Sequence, residues 1–411
     1  MLHVVFAIPF AKENTLRFAR AVLSLPDVQL TVLSQDPRER FPKEFLGQLR
    51  GFQQVADAMD ADRLEAGARA VIKAHGSIDR LLGILEPLQE PLALVRERLR
   101  IRGMDSTSAR NFRDKARMKE LFAAHDIGCA RHRLAGTAGE ALEAARQIGY
   151  PLVVKPPAGA GAKATARCAD DKELEVALAG APPRPGREVL IEEFVQGREF
   201  SFDSVTLHGQ HVFHNICCYY PTPLQVIENP WIQWCVVLPR DLAVPEFADI
   251  HRTGPRALSV LGMWTGMSHM EWFRRPDGSI AIGEVAARPP GAQFMTLMSY
   301  AHGVDMYRVF AELMVFETFT PAPRRFAVAA AYLRGQAGGR EGVRIAGVRG
   351  VEALRAELGD SLVELRLPEK GATVSTSYEG DGYAIVRHPD TEFVTAAAQK
   401  IVKSLRVDVE A

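Results

Sequence analysis

The sequence predicts an α/β protein of several domains, and three observations predict it. Strand and helix alternate through the N-terminal quarter, a run of strands follows from Glu188 to Tyr219, and two strongly apolar strands, Thr265–Phe273 and Ser279–Val285, each carry one glutamate. A length of 411 residues favours two or three domains over one.

Val4 to Ile8 reads as a buried strand, Thr15 to Leu23 as a helix and Val28 to Leu33 as a second strand. A helix around Arg63 to Ala74, a strand at Arg80 to Leu85 and a helix from Pro91 to Arg100 complete the pattern of a small parallel sheet with crossover helices. Pro9-Phe10-Ala11-Lys12 follows the first strand where a dinucleotide fold would carry Gly-x-Gly-x-x-Gly, which argues against that role. The pattern changes around Thr107 to Asn111, with Asn111 placed to cap a helix through Lys115, Lys119 and Phe122 that ends at Asp126-Ile127-Gly128. Next come a helix Ala138–Ile148, the strand Leu152–Lys155, a glycine-rich turn, a strand near Ala164–Cys168 and a helix Asp170–Leu178. Pro182-Pro183-Arg184-Pro185-Gly186 breaks the chain before the strands Glu188–Glu192, Glu199–Leu207 and His211–Tyr219, an antiparallel meander. Val244–Leu261 is helical, the two glutamate strands flank the turn Arg275-Pro276-Asp277-Gly278, and helices follow at Ala292–Tyr300 and Val304–Phe316. Pro321-Ala322-Pro323 marks a boundary, beyond which short strands alternate with helices at Val351–Leu358 and Phe393–Ser404.

The bulk numbers narrow the function. With 47% hydrophobic and 24% charged residues a large core is affordable, and Lys plus Arg equals Asp plus Glu at 50 each. Neutral charge argues against a nucleic-acid platform and against a polybasic membrane surface, so the expected partners are small molecules. Five scattered cysteines without CxxC spacing read as free thiols in a reducing compartment. The vicinal pair Cys217-Cys218 falls on opposite strand faces. Met1 to Ile8 reads as a strand rather than a signal peptide, and no apolar run reaches membrane-spanning length, so a cytoplasmic location is expected.

The candidate chemistry is phosphoryl transfer without a P-loop. Lys155 closes a strand of Leu, Val and Val, which gives its ammonium a fixed base from which to meet a phosphate, although a solvated lysine at a strand end would look the same. Ala158 to Lys163 has little side-chain bulk, so backbone N–H groups can close over phosphate oxygens, but the loop lacks the Gly-x-x-x-x-Gly-Lys-Ser/Thr spacing. Glu192-Glu193-Phe194-Val195 ends a strand and offers main-chain groups to an adenine edge, with Glu199 turned toward a ribose, or else these are exposed strand carboxylates. Glu271 and Glu284 sit inside apolar strands, where a carboxylate costs several kcal/mol unless paired or metal-bound. Hard oxygen ligands favour magnesium, and a structural salt bridge, for instance with Arg288, is the alternative. His269 shares a face with Glu271 and reads as an interior hydrogen-bonding histidine rather than a ligand.

In this order the motifs resemble the ATP-grasp superfamily, specifically carboxylate–amine ligases related to L-amino acid ligases and biotin carboxylase. The resemblance covers nearly the whole chain and implies ATP-grasp lobes between two flanking parts: a pre-ATP-grasp domain at 1–106, the grasp at 107–320 with a flexible lobe at about 130–198, and a lid-like C-terminal part at 321–411. It implies that Lys115 and Lys155 hold ATP phosphates, and that Gly159, Gly161 and Lys163 belong to a flap. Glu192, Glu193, Phe194 and Val195 would contact adenine, Glu199 the ribose, Glu271 and Glu284 magnesium (or manganese), and Arg288 an acyl-phosphate. Two positions depart from the pattern: Ala286 stands where many members carry an asparagine that helps hold metal, and Trp231 stands where a histidine is common. Glu228 is the candidate for orienting a substrate amino group, and Tyr219, Tyr220, Trp234 and small Ala292 suggest a roomy, aromatic-lined acceptor site, although such aromatics can equally be core. The implied reaction makes an acyl-phosphate and joins it to an amine, with amino acids as the expected acid and amine. The alternatives are a thiol or other acceptor, or an ATP-binding protein without chemistry. Family members often dimerise, which makes a homodimer an option here.

Overall fold

The N-terminal strand Leu2–Ala7 is buried on both faces because its alternate side chains serve two different cores. Val4 and Phe6 pack with Phe18 and Val22 of the helix Glu13–Leu23, while Val5 and Ala7 pack with Leu64 and Ala68 of the helix Ala61–His75. Each valine, leucine and phenylalanine among them contributes ~1.5–3 kcal/mol when fully buried. The sheet order is Gly51–Gln54, Val28–Ser34, Leu2–Ala7, Arg80–Leu82, all parallel. The short strand Gly51–Gln54 escapes sequence reading because it is a polar edge strand of four residues.

The computed structural model describes residues 1–159, 165–229, 232–338, 340 and 342–410. Within them, a helix Ser106–Arg113 leads into a second helix, Lys115–Ala124. The expected cap at Asn111 is therefore corrected: Asn111 lies inside the first helix, and Asp114 caps the second by accepting from the backbone N–H of Ala116 and Arg117 at 3.0 and 3.1 Å. An aspartate at that point satisfies two of the donors that a helix start leaves free.

A small antiparallel sheet follows in the order His132–Ala135, Val189–Glu193, Leu152–Lys155, Ala166–Cys168. Its helices Ala138–Ile148 and Asp171–Gly180 cover one face, with Ala141, Ile148, Leu174 and Leu178 against Leu152, Val154 and Ile191.

The largest sheet has eight antiparallel strands in the order Ile280–Ala286, Gly266–Arg274, Arg198–Leu207, Gln210–Tyr220, Cys235–Leu238, Ala327–Leu333, Gly382–His388, Leu362–Arg366. It runs across position 320 without a break, since Cys235–Leu238 pairs with Ala327–Leu333. Cys217 and Cys218 face different cores on its two sides, and all five cysteines are free. The strand Cys235–Leu238 and the helix Pro223–Glu228 carry no pattern that the sequence reading caught. No helix among the described residues is long and apolar enough to cross a membrane.

Candidate functional site

A cleft of about 540 Å³ lies between the small antiparallel sheet and the large one. Three lysines, five glutamates and two arginines line it among the described residues, and the pairing of the central ones follows from strand register.

Glu271 and Glu284 are direct partners in the register of the edge strand Ile280–Ala286 and its neighbour Gly266–Arg274. The register slips at the next step, where Trp272 pairs with Ile282 and Gly283 is left over as a bulge. A side chain at Gly283 would meet the Phe273 ring at 3.0 Å and the Glu271 carbonyl at 3.3 Å, so any larger residue would have to push these neighbours aside. The bulge also frees the Gly283 carbonyl, which accepts from Lys119 Nζ at 2.9 Å.

Opposed carboxylates repel unless cations separate them. Glu284 finds Lys115, whose Nζ lies 3.0 Å from Oε2 and also donates to the Gly159 carbonyl at 2.9 Å. Burial works to raise the Glu284 carboxyl, but Lys115 and Lys155 outweigh it and hold it down at about 2. Among the described residues Glu271 has only the His269 Nε2, at 3.8 Å, as an ion-pair partner. Glu199 is buried alongside, and burial, reinforced by the charges of Glu271 and Glu284, pushes its carboxyl well above the usual range.

Glu192 holds two lysines at once, Lys155 at 2.8 Å and Lys119 at 3.5 Å. Burial opposes its ionisation, yet the two ammonium groups pull it below the usual carboxylate range. For Lys155, burial is outweighed by Glu192 and Glu284 and the ammonium is held above its ordinary value. Lys119 is fully buried, and there burial prevails and lowers it despite Glu192. The Glu192 side chain thus organises lysines, while Glu193, Phe194 and Val195 continue along the cleft wall. Glu193 is pinned by Arg275 at 2.5 Å and Arg131 at 3.2 Å, and the Phe194 ring lies 4.2 Å from the Arg167 guanidinium. Gly197 follows with φ 157°, and a Cβ there would stand 2.2 Å from the Arg274 carbonyl.

Arg288 lines the cleft with its guanidinium on Glu86, at 3.0 Å from Nη2 and 3.3 Å from Nε. Glu86 is nearly buried and takes Arg113 at 2.9 Å on its other oxygen. Beyond Arg288, Ala292 and Gln293 adopt positive φ values of 47° and 65°, a strained path for residues with a Cβ. That turn brings Gly291 and Ala292 to the cleft ahead of the helix Phe294–His302.

His269 also reaches the cleft, with Nδ1 2.5 Å from Asp203 Oδ1 and Ser201 donating to the other Asp203 oxygen at 2.8 Å. Burial would lower the imidazole, but Asp203 outweighs it and raises it to about 9. The aromatic end is formed by Tyr219, Trp234, Phe294 and Tyr378, with Tyr378 edge-on to Trp234 at 4.9 Å. Tyr220 is 40% exposed and not part of the lining.

Lys115, Lys155, Gly159, Glu192 to Val195, Glu199, Glu271, Glu284 and Arg288 thus share one cleft. Glu228 does not: it is exposed at the end of the helix Pro223–Glu228, and Gln225 and Thr222 of that segment face the cleft instead. Gly161, Lys163 and Trp231 lie outside the described residues. Sequence reading missed Glu86, Arg113, Tyr378 and the roles of Lys119 and Asp203. Only Lys119 left a signal, one helical turn after Lys115 on the same face.

Among the described residues no three His, Cys, Asp or Glu gather into a group that could hold a metal ion alone. Glu271 and Glu284 nevertheless fit as two ligands of a hard divalent cation, the rest of whose shell would come from elsewhere, since among the described residues Glu271 has no lysine or arginine in an ion pair with it.

Residues 120–302 match the ATP-grasp domain family. Among curated proteins, the uncharacterized protein y4rH of Sinorhizobium fredii is 26% identical over 311 residues, 74% of this chain and 62% of its own length. The carbamoyl phosphate synthase large chain of Thermotoga maritima is 26% identical over 234 residues, 56% of this chain but 20% of its own. The chain therefore spans less than two thirds of these relatives. Among solved structures, the L-amino acid ligase from Bacillus licheniformis superposes with a TM-score of 0.80 at 16% identity, covering 100% of this chain and 99% of that one. N5-carboxyaminoimidazole ribonucleotide synthetase from Thermotoga maritima superposes at 0.68 with 18% identity, covering 100% of both chains.

Proposed function

Because the chain carries an ATP-grasp domain, we propose that it is an ATP- and magnesium-dependent ligase that activates a substrate carboxylate as an acyl-phosphate and joins it to an amine, releasing ADP and phosphate. The observation that carries this reading is the convergence of Lys115, Lys155, Glu271, Glu284 and Arg288 on one cleft.

In this reading the nucleotide lies between the two sheets, with its base along Glu193 to Val195 and its ribose at Glu199. Burial and the nearby carboxylates push the Glu199 carboxyl well above the usual range, and its position in the cleft suits a hydrogen bond to a sugar hydroxyl. Lys115 and Lys155 meet the phosphates as point charges. Glu271 and Glu284 would hold magnesium, which supplies charge neutralisation between phosphate oxygens. Lys115, which here pairs with Glu284, would then serve the nucleotide instead.

Arg288 stabilises charge on the transferred phosphoryl group and then on the tetrahedral oxyanion formed when the amine attacks. To do so it exchanges Glu86 for the substrate, and Glu86 keeps Arg113 as a partner. The rest is positioning and exclusion of water, with no covalent enzyme intermediate required.

Amino acids are the proposed acid and amine. The test is mass spectrometry of products from a mixed amino-acid pool incubated with the protein, ATP and magnesium. A new amide together with ADP supports the reading, and ATP left intact across the pool removes it. A second reading, an ATP-binding protein without turnover, is favoured by Ala286, which leaves the cation one ligand fewer than the family pattern. Tight ATP binding with no substrate-stimulated phosphate release would select it.

A further inference from the structure

We propose that a second cavity, behind Arg288, is a binding site for a small planar oxyanion, a carboxylate or bicarbonate group gripped by Arg96. The cavity holds about 50 Å³ and shares only Arg288 with the nucleotide cleft. It lies where the strand Arg80–Leu82 and the helix Gln89–Leu99 of the N-terminal layer meet the start of the strand Gly266–Arg274.

Its charges do not balance. Four arginines line it, Arg80, Arg96, Arg102 and Arg288, against the single carboxylate of Glu317. Three are matched: Arg80 and Arg102 stand 3.7 and 2.8 Å from Glu317, and Arg288 is on Glu86 at 3.0 Å. Arg96 is not. It is 5% exposed, its Nε donates to the Leu81 carbonyl at 2.9 Å, and among the described residues its terminal nitrogens have no hydrogen-bond partner. Burial alone lowers its guanidinium to about 10, with no carboxylate acting against it. Arg324 is also deeply buried, but its unpartnered nitrogen is sealed in protein, whereas Arg96 borders open space.

A buried guanidinium without a counter-charge costs several kcal/mol, so this one is built to receive an anion. Its planar fork of N–H groups matches a carboxylate bidentately. The Thr265 hydroxyl, on the same wall, accepts from the His208 N–H at 3.0 Å and keeps its own proton to donate. Leu82, Met104, Met263, Met267, Phe310 and Met314 supply the apolar remainder. The space suits a few water-sized groups, which admits formate or bicarbonate and excludes a nucleotide or a long acid.

The site is tested by thermal unfolding of the full chain in sodium formate, bicarbonate or butyrate, each matched against sodium chloride at equal ionic strength and pH. Formate and bicarbonate are expected to raise the unfolding temperature saturably, by a few degrees, butyrate no more than chloride, and Arg96→Met to lose the response. A response favouring formate over bicarbonate would identify a carboxylate as the occupant, and the reverse order bicarbonate. Formate acting like chloride, or Arg96→Met keeping the formate response, would overturn the proposal. Should Arg96→Met not fold, crystals of the unaltered protein grown in formate decide: a planar anion on the Arg96 fork supports the site, and water alone there refutes it.

Discussion

The ammonium of Lys115 and the carboxylate of Glu284 lie 3.0 Å apart, although the proposed reaction needs each for a different partner. In the proposed reaction the pair would hold the two charges in place until phosphate and cation take them up. Glu284→Gln is therefore expected to abolish magnesium-dependent ADP formation while leaving metal-free nucleotide binding intact. A coupled ADP assay alongside equilibrium binding of a fluorescent ATP analogue measures both. Turnover persisting in the variant would remove Glu284 from the metal site.

Arg288 sits on Glu86 and beside the proposed phosphoryl position. Arg288→Ala should lower turnover by about 100-fold or more, in the manner of a lost oxyanion donor, with ATP affinity little changed. Near-normal kcat would show that the arginine is structural and belongs to Glu86 alone.

Glu192 is the shared counter-charge for Lys119 and Lys155. Its replacement by Gln leaves two buried ammonium groups with no carboxylate between them, a loss of about 3 kcal/mol or more. Urea unfolding followed by fluorescence reports it. A change of less than about 1 kcal/mol would be typical of an exposed pair, and would contradict the burial described.

Acid should weaken the fold through three histidines on the large sheet and its covering segments. Burial, the leading cause in each, lowers His211 and His302 to about 4 and His214 to about 3. An unfolded chain takes up these protons near 6.5 and the folded one resists, so the stabilisation is present above 6.5 and is lost as pH falls toward 4. His269 has the opposite sign: raised to about 9, its contribution is full below 6.5 and fades as pH climbs through 9. Unfolding temperatures between pH 4.5 and 7.5 should slope upward, and His214→Gln should flatten that slope. An unchanged slope would assign acid lability elsewhere.

Much of this architecture was legible in the sequence, because burial dictates composition. The strand Leu152–Lys155, the meander from Arg198 to Tyr220 and the helix Val351–Leu358 announce themselves by apolar runs and clear breakers. Glu271 and Glu284 stood out because carboxylates are costly in such strands. What the sequence hid depends on contacts between distant segments. Glu86 meets Arg288 across 202 positions, and Tyr378 joins the aromatic wall from the far end of the chain. Glu228 misled because its short helix turns it outward, while Thr222 and Gln225 face the cleft. Asn111 misled because two helices abut there, with the break three residues later at Asp114.

The eight-stranded sheet carries the paired glutamates near one edge and the C-terminal strands at the other, with every neighbour hydrogen-bonded. Opening the cleft by moving the C-terminal part would tear ladders, so that route is mechanically stiff. Among the described residues the four-stranded lobe has no such ladder to the slab, and two connections join it there: Asp126 to Arg131, with a single bridge from Cys129 to Ile282, and Phe194 to Gly197. Entry and exit of a nucleotide should accordingly be a swing of that lobe against a stationary wall, with its two connections as the hinge.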